Sequence, residues 1–390
     1  MVTTASIIIP LLAFWLWWPL NRLSHLARWC AIAVTTALGL FPAVLLKMAQ
    51  TGAMEYTQVA RLQVPAGWVL AVLLILALLI LLRDVLWAFA RLLKRKVWSD
   101  RLHQPALTIV AMVLTGVLCA WGVNNGLQPP QVREQTLSFK NLPPELDGLR
   151  LAVLADIHAS PVNDAAYVQT IVDRTLAATP DLIVLPGDMV DGDVASGRAN
   201  VAPLTQLKAP YGVWAAPGNH EYYSGYDSWM GEFRRMGLNL LENRMQLLEI
   251  KGTKLALSGI GDPVYGRTSH NNTNPEVPEG IPPDVDHVAQ QAQAAGAQFH
   301  ILLAHQPKFA RDNAERGIHL QLSGHTHGGQ IIGMDRWVTA PVNNGFVRGA
   351  YDVGDMLLWV SSGAGLWAGF TARLGVPPSI DLLTLRRAAP

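Results

Sequence analysis

Residues 299–330 read FHILLAHQPKFARDNAERGIHLQLSGHTHGGQ. FHILLAH (299–305) and HLQLSG (319–324) are short apolar runs of the kind that form buried strands. The stretch between them, about 308–316, has helical character. Strand, helix and strand in succession give the texture of an α/β domain. Each strand closes on histidine: His305 ends the first, and Gly324, His325, Thr326 and His327 follow the second.

The same texture extends towards the N-terminus. LRLAVLA (149–155), DLIVLP (181–186), YGVWAAP (211–217) and KLALSGI (254–260) read as further strands, with helices expected near 164–178, 226–236 and 284–295. Asn, Pro and Glu in 271–283 mark an exposed loop. Polar residues again gather where the strands end. Asp156 and His158 follow the first strand. Gly187, Asp188 and Asp191 follow the second, and Gly218, Asn219, His220 and Glu221 the third. Ligands of open α/β sheets bind beyond the carboxyl ends of strands. Imidazoles and carboxylates together suit Zn, Mn or Fe. Two such ions about 3.5–4 Å apart can clamp a phosphoryl group and activate a bridging water. One Asp-x-His, or one histidine at a strand end, is more often structural than metal-binding. Five strand ends in this order are what a pocket for divalent metals requires.

The ordered set DIH (156–158), GDMVD (187–191), GNHE (218–221), LLAHQP with His305, and GHTHGGQ (324–330) resembles the calcineurin-like metallophosphoesterase superfamily. The likeness covers residues 149–385. It is strongest to the bacterial membrane-associated branch, which opens with a phrase like LPPELDGLRLAVLADIH and closes with one like GLWAGFTARLGVPPSIDLLTL. The resemblance implies two packed β-sheets flanked by helices and two divalent metal ions. By the same resemblance Asp156, His158 and His327 hold the first ion, Asn219, His305 and His325 hold the second, and Asp188 bridges them. His220 is implied as an acid or charge stabiliser at the leaving group. Asp191 supports the loop or His220, and Arg373 in the closing phrase is a candidate contact for a substrate phosphate. His270 reads as solvent-exposed, His300 and His319 as structural.

Upstream of this domain the texture is different. Half of the 390 residues are hydrophobic and 15% are charged, against about 25% charged for a typical soluble domain. Four apolar runs precede residue 125: 4–20, 30–46, 68–90 and 106–123. About 20 apolar residues cross a bilayer, so about four spans are expected, the first of them short and interrupted by Pro10 and Pro19. The domain plan is a transmembrane helical region over 1–123, a linker and entry segment over 124–147, and the metallophosphoesterase domain over 148–390. Basic residues concentrate in two loops, Arg22 and Arg28 after the first run, and Arg91, Lys94, Arg95, Lys96 and Arg101 after the third. Basic loops stay in the cytoplasm. This predicts a multi-pass protein of the cell (inner) membrane with its catalytic domain outside the cytoplasm. Cys30 and Cys119 both lie in apolar runs and suggest neither a metal site nor a disulfide.

The expected function is hydrolysis of a phosphate mono- or diester or pyrophosphate, its substrate a phosphorylated small molecule or lipid, with a lipid-linked one favoured. A transport or sensing protein with a metal-binding outer domain is the alternative from another class. Its weakness is the scarcity of ionisable residues in the runs, Arg83 and Asp84 being the exceptions. A phosphoprotein phosphatase or nuclease on the same fold is the third reading. A formal charge of +1 provides no basic field for nucleic acid.

Overall fold

The computed structural model describes residues 2–51, 53–266, 279–367 and 369–388. The chain divides into two compact units, Met1–Asn125 with Ala368–Ala372, and Gly126–Trp367 with Arg373–Pro390.

Among the described residues the first unit contains five helices: α1 (Val2–Trp17), α2 (His25–Gln50), α3 (Tyr56–Leu92), α4 (Lys96–Leu102) and α5 (Pro105–Gly126). Among the described residues α2, α3 and α5 are long and apolar enough to cross a membrane. That is three candidate spans where the sequence suggested about four. The first run yields a helix of 16 residues with Pro10 inside it, short of the bilayer requirement. Its buried face, Ala13, Leu16 and Trp17, packs with Ile32 of α2 and Ile80 of α3. Elsewhere large apolar side chains point outward, Leu114 (64% exposed) and Val117 (65%) among them. Water would penalise such surface and lipid does not.

The second unit is two six-stranded mixed sheets. Its strands are β1 (Gln131–Phe139), β2 (Arg150–Val153), β3 (Leu182–Pro186), β4 (Val213–Ala216), β5 (Asn239–Leu240), β6 (Arg244–Ile250), β7 (Thr253–Gly259), β8 (Phe299–Leu303), β9 (Leu320–Ser323), β10 (Gly349–Val353), β11 (Met356–Val360) and β12 (Ser379–Arg387). One sheet has the order β1-β12-β2-β3-β4-β5, the other β10-β11-β9-β8-β7-β6. Leu151, Val153, Leu182 and Val184 of the first meet Leu255, Leu257, Ile301, Leu303, Leu320 and Leu322 of the second in one apolar layer. Helices α6 (Ala165–Ala177), α7 (Val194–Val201), α8 (Asn219–Tyr223) and α9 (Tyr226–Arg235) follow strands of the first sheet, and α10 (Val285–Ala294) and α11 (Ala310–Ala314) belong to the second. Asp164 starts α6 by accepting from the Tyr167 amide, and Asp284 starts α10 through the His287 amide, as N-cap carboxylates do.

Within the expected linker and entry segment lies β1, paired in parallel with β12 from Gln131↔Ser379 to Phe139↔Arg387. In QVREQTLSF only Leu137 and Phe139 are buried. An edge strand with one short buried stretch has too little apolar alternation to be read from sequence. His270 and most of the expected 271–283 loop lie outside the described residues.

Candidate metal centre

Three parallel neighbours, β2, β3 and β4, and two more, β8 and β9, end at one place. The chain bends sharply after β2, β3 and β9. Asp156, His158, Asp188, His325 and His327 have φ of 53°, 47°, 55°, 72° and 48°. Left-handed backbone at a non-glycine residue costs about 1 kcal/mol or more and persists where the surroundings enforce it, commonly at functional sites. Gly187 (φ 100°) lets two loops touch, because a Cβ there would lie 2.6 Å from Gly218 Cα.

These bends converge the side chains. Asp156, His158 and His327 offer ligand atoms within 4.8 Å of one another, and so do Asp188, His305 and His325. His158 Nε2 and His327 Nε2 are 3.1 Å apart. His305 Nε2 lies 3.0 Å from Asp188 Oδ2 and 3.9 Å from Asp156 Oδ1. His325 Nδ1 is 2.8 Å from Asn219 Oδ1. The backbone fixes the carboxylates in turn: the His325 amide donates to Asp156 and the His220 amide to Asp188, each at 2.8 Å. All seven expected ligands are therefore together, and all but the half-buried His325 are buried.

Several outer partners fix which nitrogen faces inward. A carbonyl oxygen only accepts, so His305 Nδ1 donates to Pro186 O at 2.9 Å and turns Nε2 to the carboxylates. A carboxylate likewise accepts from His158 Nδ1 at 3.1 Å, the partner being Asp191, and His158 Nε2 faces His327. Asp191 Oδ1 takes the Nδ1–H of His220 as well. The third group of candidate ligand atoms, His158, Asp191 and His220, is thus an orienting triad built on one carboxylate, of the kind that supports metal-ligating histidines. The donor set fits divalent transition metals. Asp156 Oδ2 is buried without a hydrogen-bond partner among the described residues, and buried polar atoms seldom go unpaired.

Electrostatics separate the histidines. Burial disfavours the charged form of His220, but Asp188 and Asp191 outweigh it and raise its pKa to about 9. His305 is likewise raised to about 10 against its burial, chiefly by Asp188. His325 falls to about 3 through burial and the nearby His305. Burial pushes Asp156 up, whereas for Asp188 the surrounding histidines overcome burial and hold it well below the usual range. A metal entering this site displaces protons, so its binding depends on pH.

Arg373 corrects the sequence reading. It is 1% exposed, and its guanidinium donates to Ser362 O, Gly365 O and His327 Nδ1 at 2.8, 2.7 and 2.8 Å. A guanidinium enclosed behind His327 has no face for a substrate phosphate. The sequence phrase shows an arginine near the motifs but not which side of the histidine it takes. Because arginine only donates, His327 Nδ1 accepts here, so a neutral ring carries its proton on Nε2, the nitrogen facing His158, and a metal bound at Nε2 must displace that proton.

Residues with no assigned role also build the site. Glu221, fully buried, accepts from the amides of Gly218 (2.6 Å), Asp188 (3.1 Å) and Met189 (2.7 Å). It ties the second motif to the third. Asn163 Nδ2 donates to the carbonyls of Ile157, His158 and Leu366. Two exposed aromatics flank the cluster, Tyr223 edge-on to His220 and Trp367 stacked on His327. Glu221 stands inside a motif, which is the one signal for it. The others act on backbone or ring faces, which leaves no pattern in sequence.

Residues 149–329 match the calcineurin-like phosphoesterase family, so this two-sheet domain is of that family. The chain is 32% identical over 288 residues to a transmembrane protein with metallophosphoesterase domain of Danio rerio, covering 72% of this chain and 63% of that protein. The protein of the same description from Bos taurus is 32% identical over 73% of this chain and 63% of its own length. An uncharacterized metallophosphoesterase of Campylobacter jejuni is 28% identical over 77% and 76%. The chain spans less than two thirds of the two vertebrate relatives.

Proposed function

We propose that this chain is a membrane-anchored phosphoesterase that uses two divalent metal ions to hydrolyse phosphate mono- or diester or pyrophosphate bonds, with a lipid-linked substrate. What supports the reading is two groups of Asp and His side chains whose N and O atoms lie within 4.8 Å of one another, with Asn219 beside His325 and with His158 and His305 oriented from behind. In this assignment Asp156, His158 and His327 hold one ion, Asn219, His305 and His325 the other, and Asp188 both. Mn, Zn and Fe all suit these ligands. When bound, such a pair polarises the phosphoryl group and lowers the pKa of a water between the ions. His220 has no place in either ligand set. Held by Asp191, it donates a proton to the leaving oxygen.

Three apolar helices and relatives described as transmembrane proteins support membrane association. The orientation follows from the last crossing. Arg91, Lys94, Arg95, Lys96 and Arg101 lie just before α5, and a basic loop stays in the cytoplasm. Residues beyond α5 then lie outside it. A short α1 that does not cross changes only the side of the N-terminus. A fusion after Pro390 tests this: alkaline phosphatase is expected to be active and a cytoplasm-dependent fluorescent protein dark, and the reverse contradicts it.

Confinement at a bilayer raises the effective concentration of a lipid-borne substrate and does nothing for a soluble one. The deciding experiment compares kcat/KM for a long-chain lipid phosphate or diphosphate with its short-chain analogue, in one detergent and with metal supplied. Preference for the long chain supports the lipid reading. Equal values or preference for the short analogue refute it.

A further inference from the structure

Arg83 sits on α3 where the apolar run ends, and it is only 8% exposed. Its Nε donates to Asp84 Oδ1 at 2.8 Å. Asp84 is also bound by Trp15 Nε1 at 2.7 Å and lies 3.3 Å from His103 Nε2. The other side of the guanidinium is unused: Nη1 and Nη2 are buried and find no hydrogen-bond partner among the described residues. The Thr108 hydroxyl on α5 is in the same condition.

Arg83 and Thr108 line one cavity of about 210 Å³, the rest of which is leucine, isoleucine and alanine from α1, α3, α4 and α5. Its floor is buried, with Leu16, Leu76 and Ile80 at 2%, 3% and 4% exposure, while Leu82 and Leu86 at its rim are exposed at 54% and 46%. An apolar trough therefore opens sideways from the helices and carries two unpaired donors, one of them cationic. In hydrocarbon such donors cost several kcal/mol unless an acceptor meets them.

The depth suits a headgroup. The 37-residue helix α3 is about 55 Å long, more than the roughly 30 Å of a hydrocarbon core. The apolar run before Arg83 accounts for most of that core, and Trp87, Arg91, Lys94 and Arg95 follow it. Aromatic and basic residues in this order mark the interface with the anionic cytoplasmic leaflet. Asp84 neutralises the Nε side only, and a guanidinium fork matches two phosphate oxygens. The volume is below the roughly 300 Å³ of a small-molecule pocket, enough for part of one acyl chain.

We infer that this trough is a binding site for an anionic membrane phospholipid, with its phosphate on Arg83 and Thr108 and one acyl chain along the leucines. The site is made from the helical unit and does not rest on the metal assignment. The test is native mass spectrometry of the full-length chain in detergent, loaded with dioleoyl phosphatidylglycerol or dioleoyl phosphatidylcholine. Wild type is expected to retain phosphatidylglycerol over phosphatidylcholine. Arg83→Gln, which loses a hydrogen bond to a charged group, is expected to retain about tenfold less. Ala111→Phe leaves the charge and fills the trough, and is expected to lose the lipid as well. Equal retention of the two lipids by wild type overturns the inference without any variant. So does undiminished phosphatidylglycerol on either variant that elutes as a single species.

Discussion

Replacing Asp191 by asparagine tests the centre through a residue that touches no metal position in the assignment. One Asp191 oxygen receives two imidazole N–H groups, from His158 at 3.1 Å and from His220. The residue is 8% exposed, and its contacts with His158 and His220 hold its carboxyl far below the usual range despite burial. Asparagine keeps an acceptor of the same shape but removes the charge. Each imidazole then trades a charged hydrogen bond for a neutral one, which is worth about half as much. For His158 the effect is on orientation, and loss of an outer-shell partner costs about 10–100-fold in metal affinity or activity. That is about 1.4–2.7 kcal/mol. For His220 the effect is on protonation. Its pKa is raised to about 9 against burial by Asp188 and Asp191 together, so removing one carboxylate lowers it. A group with a raised pKa is protonated below that value and loses its proton as pH rises through it. The alkaline limb of the rate profile must therefore move to lower pH in Asp191→Asn. Competitive chelator titration measures the affinity, and kcat against pH measures the second effect. Affinity within twofold of wild type together with an unmoved alkaline limb would refute the role given to Asp191.

Two further outcomes follow from the same geometry. His220→Ala is expected to lower kcat about 10²–10⁴-fold while leaving metal content near normal, with a smaller loss for nitrophenyl esters, whose leaving group needs no proton; loss of metal from this variant would make His220 a ligand. Glu221→Ala strands three buried amides at about 1–3 kcal/mol each, so thermal unfolding is expected to report a loss of several kcal/mol, and an unchanged midpoint would show that those amides find other partners.

The strands that carry ligands were legible because they are buried on both faces. LRLAVLA and FHILLAH are continuous apolar runs, and the structure buries every residue of β2 after Arg150 and all of β8. The clustered Asp, Asn and His residues were legible because five motifs keep one order along the chain. The edge strand β1 was not, since most of its side chains face outward. Three candidate spans stand among the described residues where about four were expected, because α1 matches a span in composition but not in length. Arg373 shows the firmest limit. Its neighbourhood in sequence places it near the metal motifs, and only tertiary packing puts it behind His327 and out of reach of a ligand.

Metal content of the purified full-length chain addresses the central claim most directly. Inductively coupled plasma mass spectrometry on wild type and Asp188→Ala, alongside phosphoester hydrolysis before and after chelation, reads the shared carboxylate and the chemistry together. The account predicts about two transition-metal ions per wild-type chain, loss of hydrolysis on chelation and its return on adding metal, and depleted metal with no hydrolysis in Asp188→Ala. A wild-type chain that binds no transition metal, or that hydrolyses its substrate unchanged in excess chelator, would contradict it.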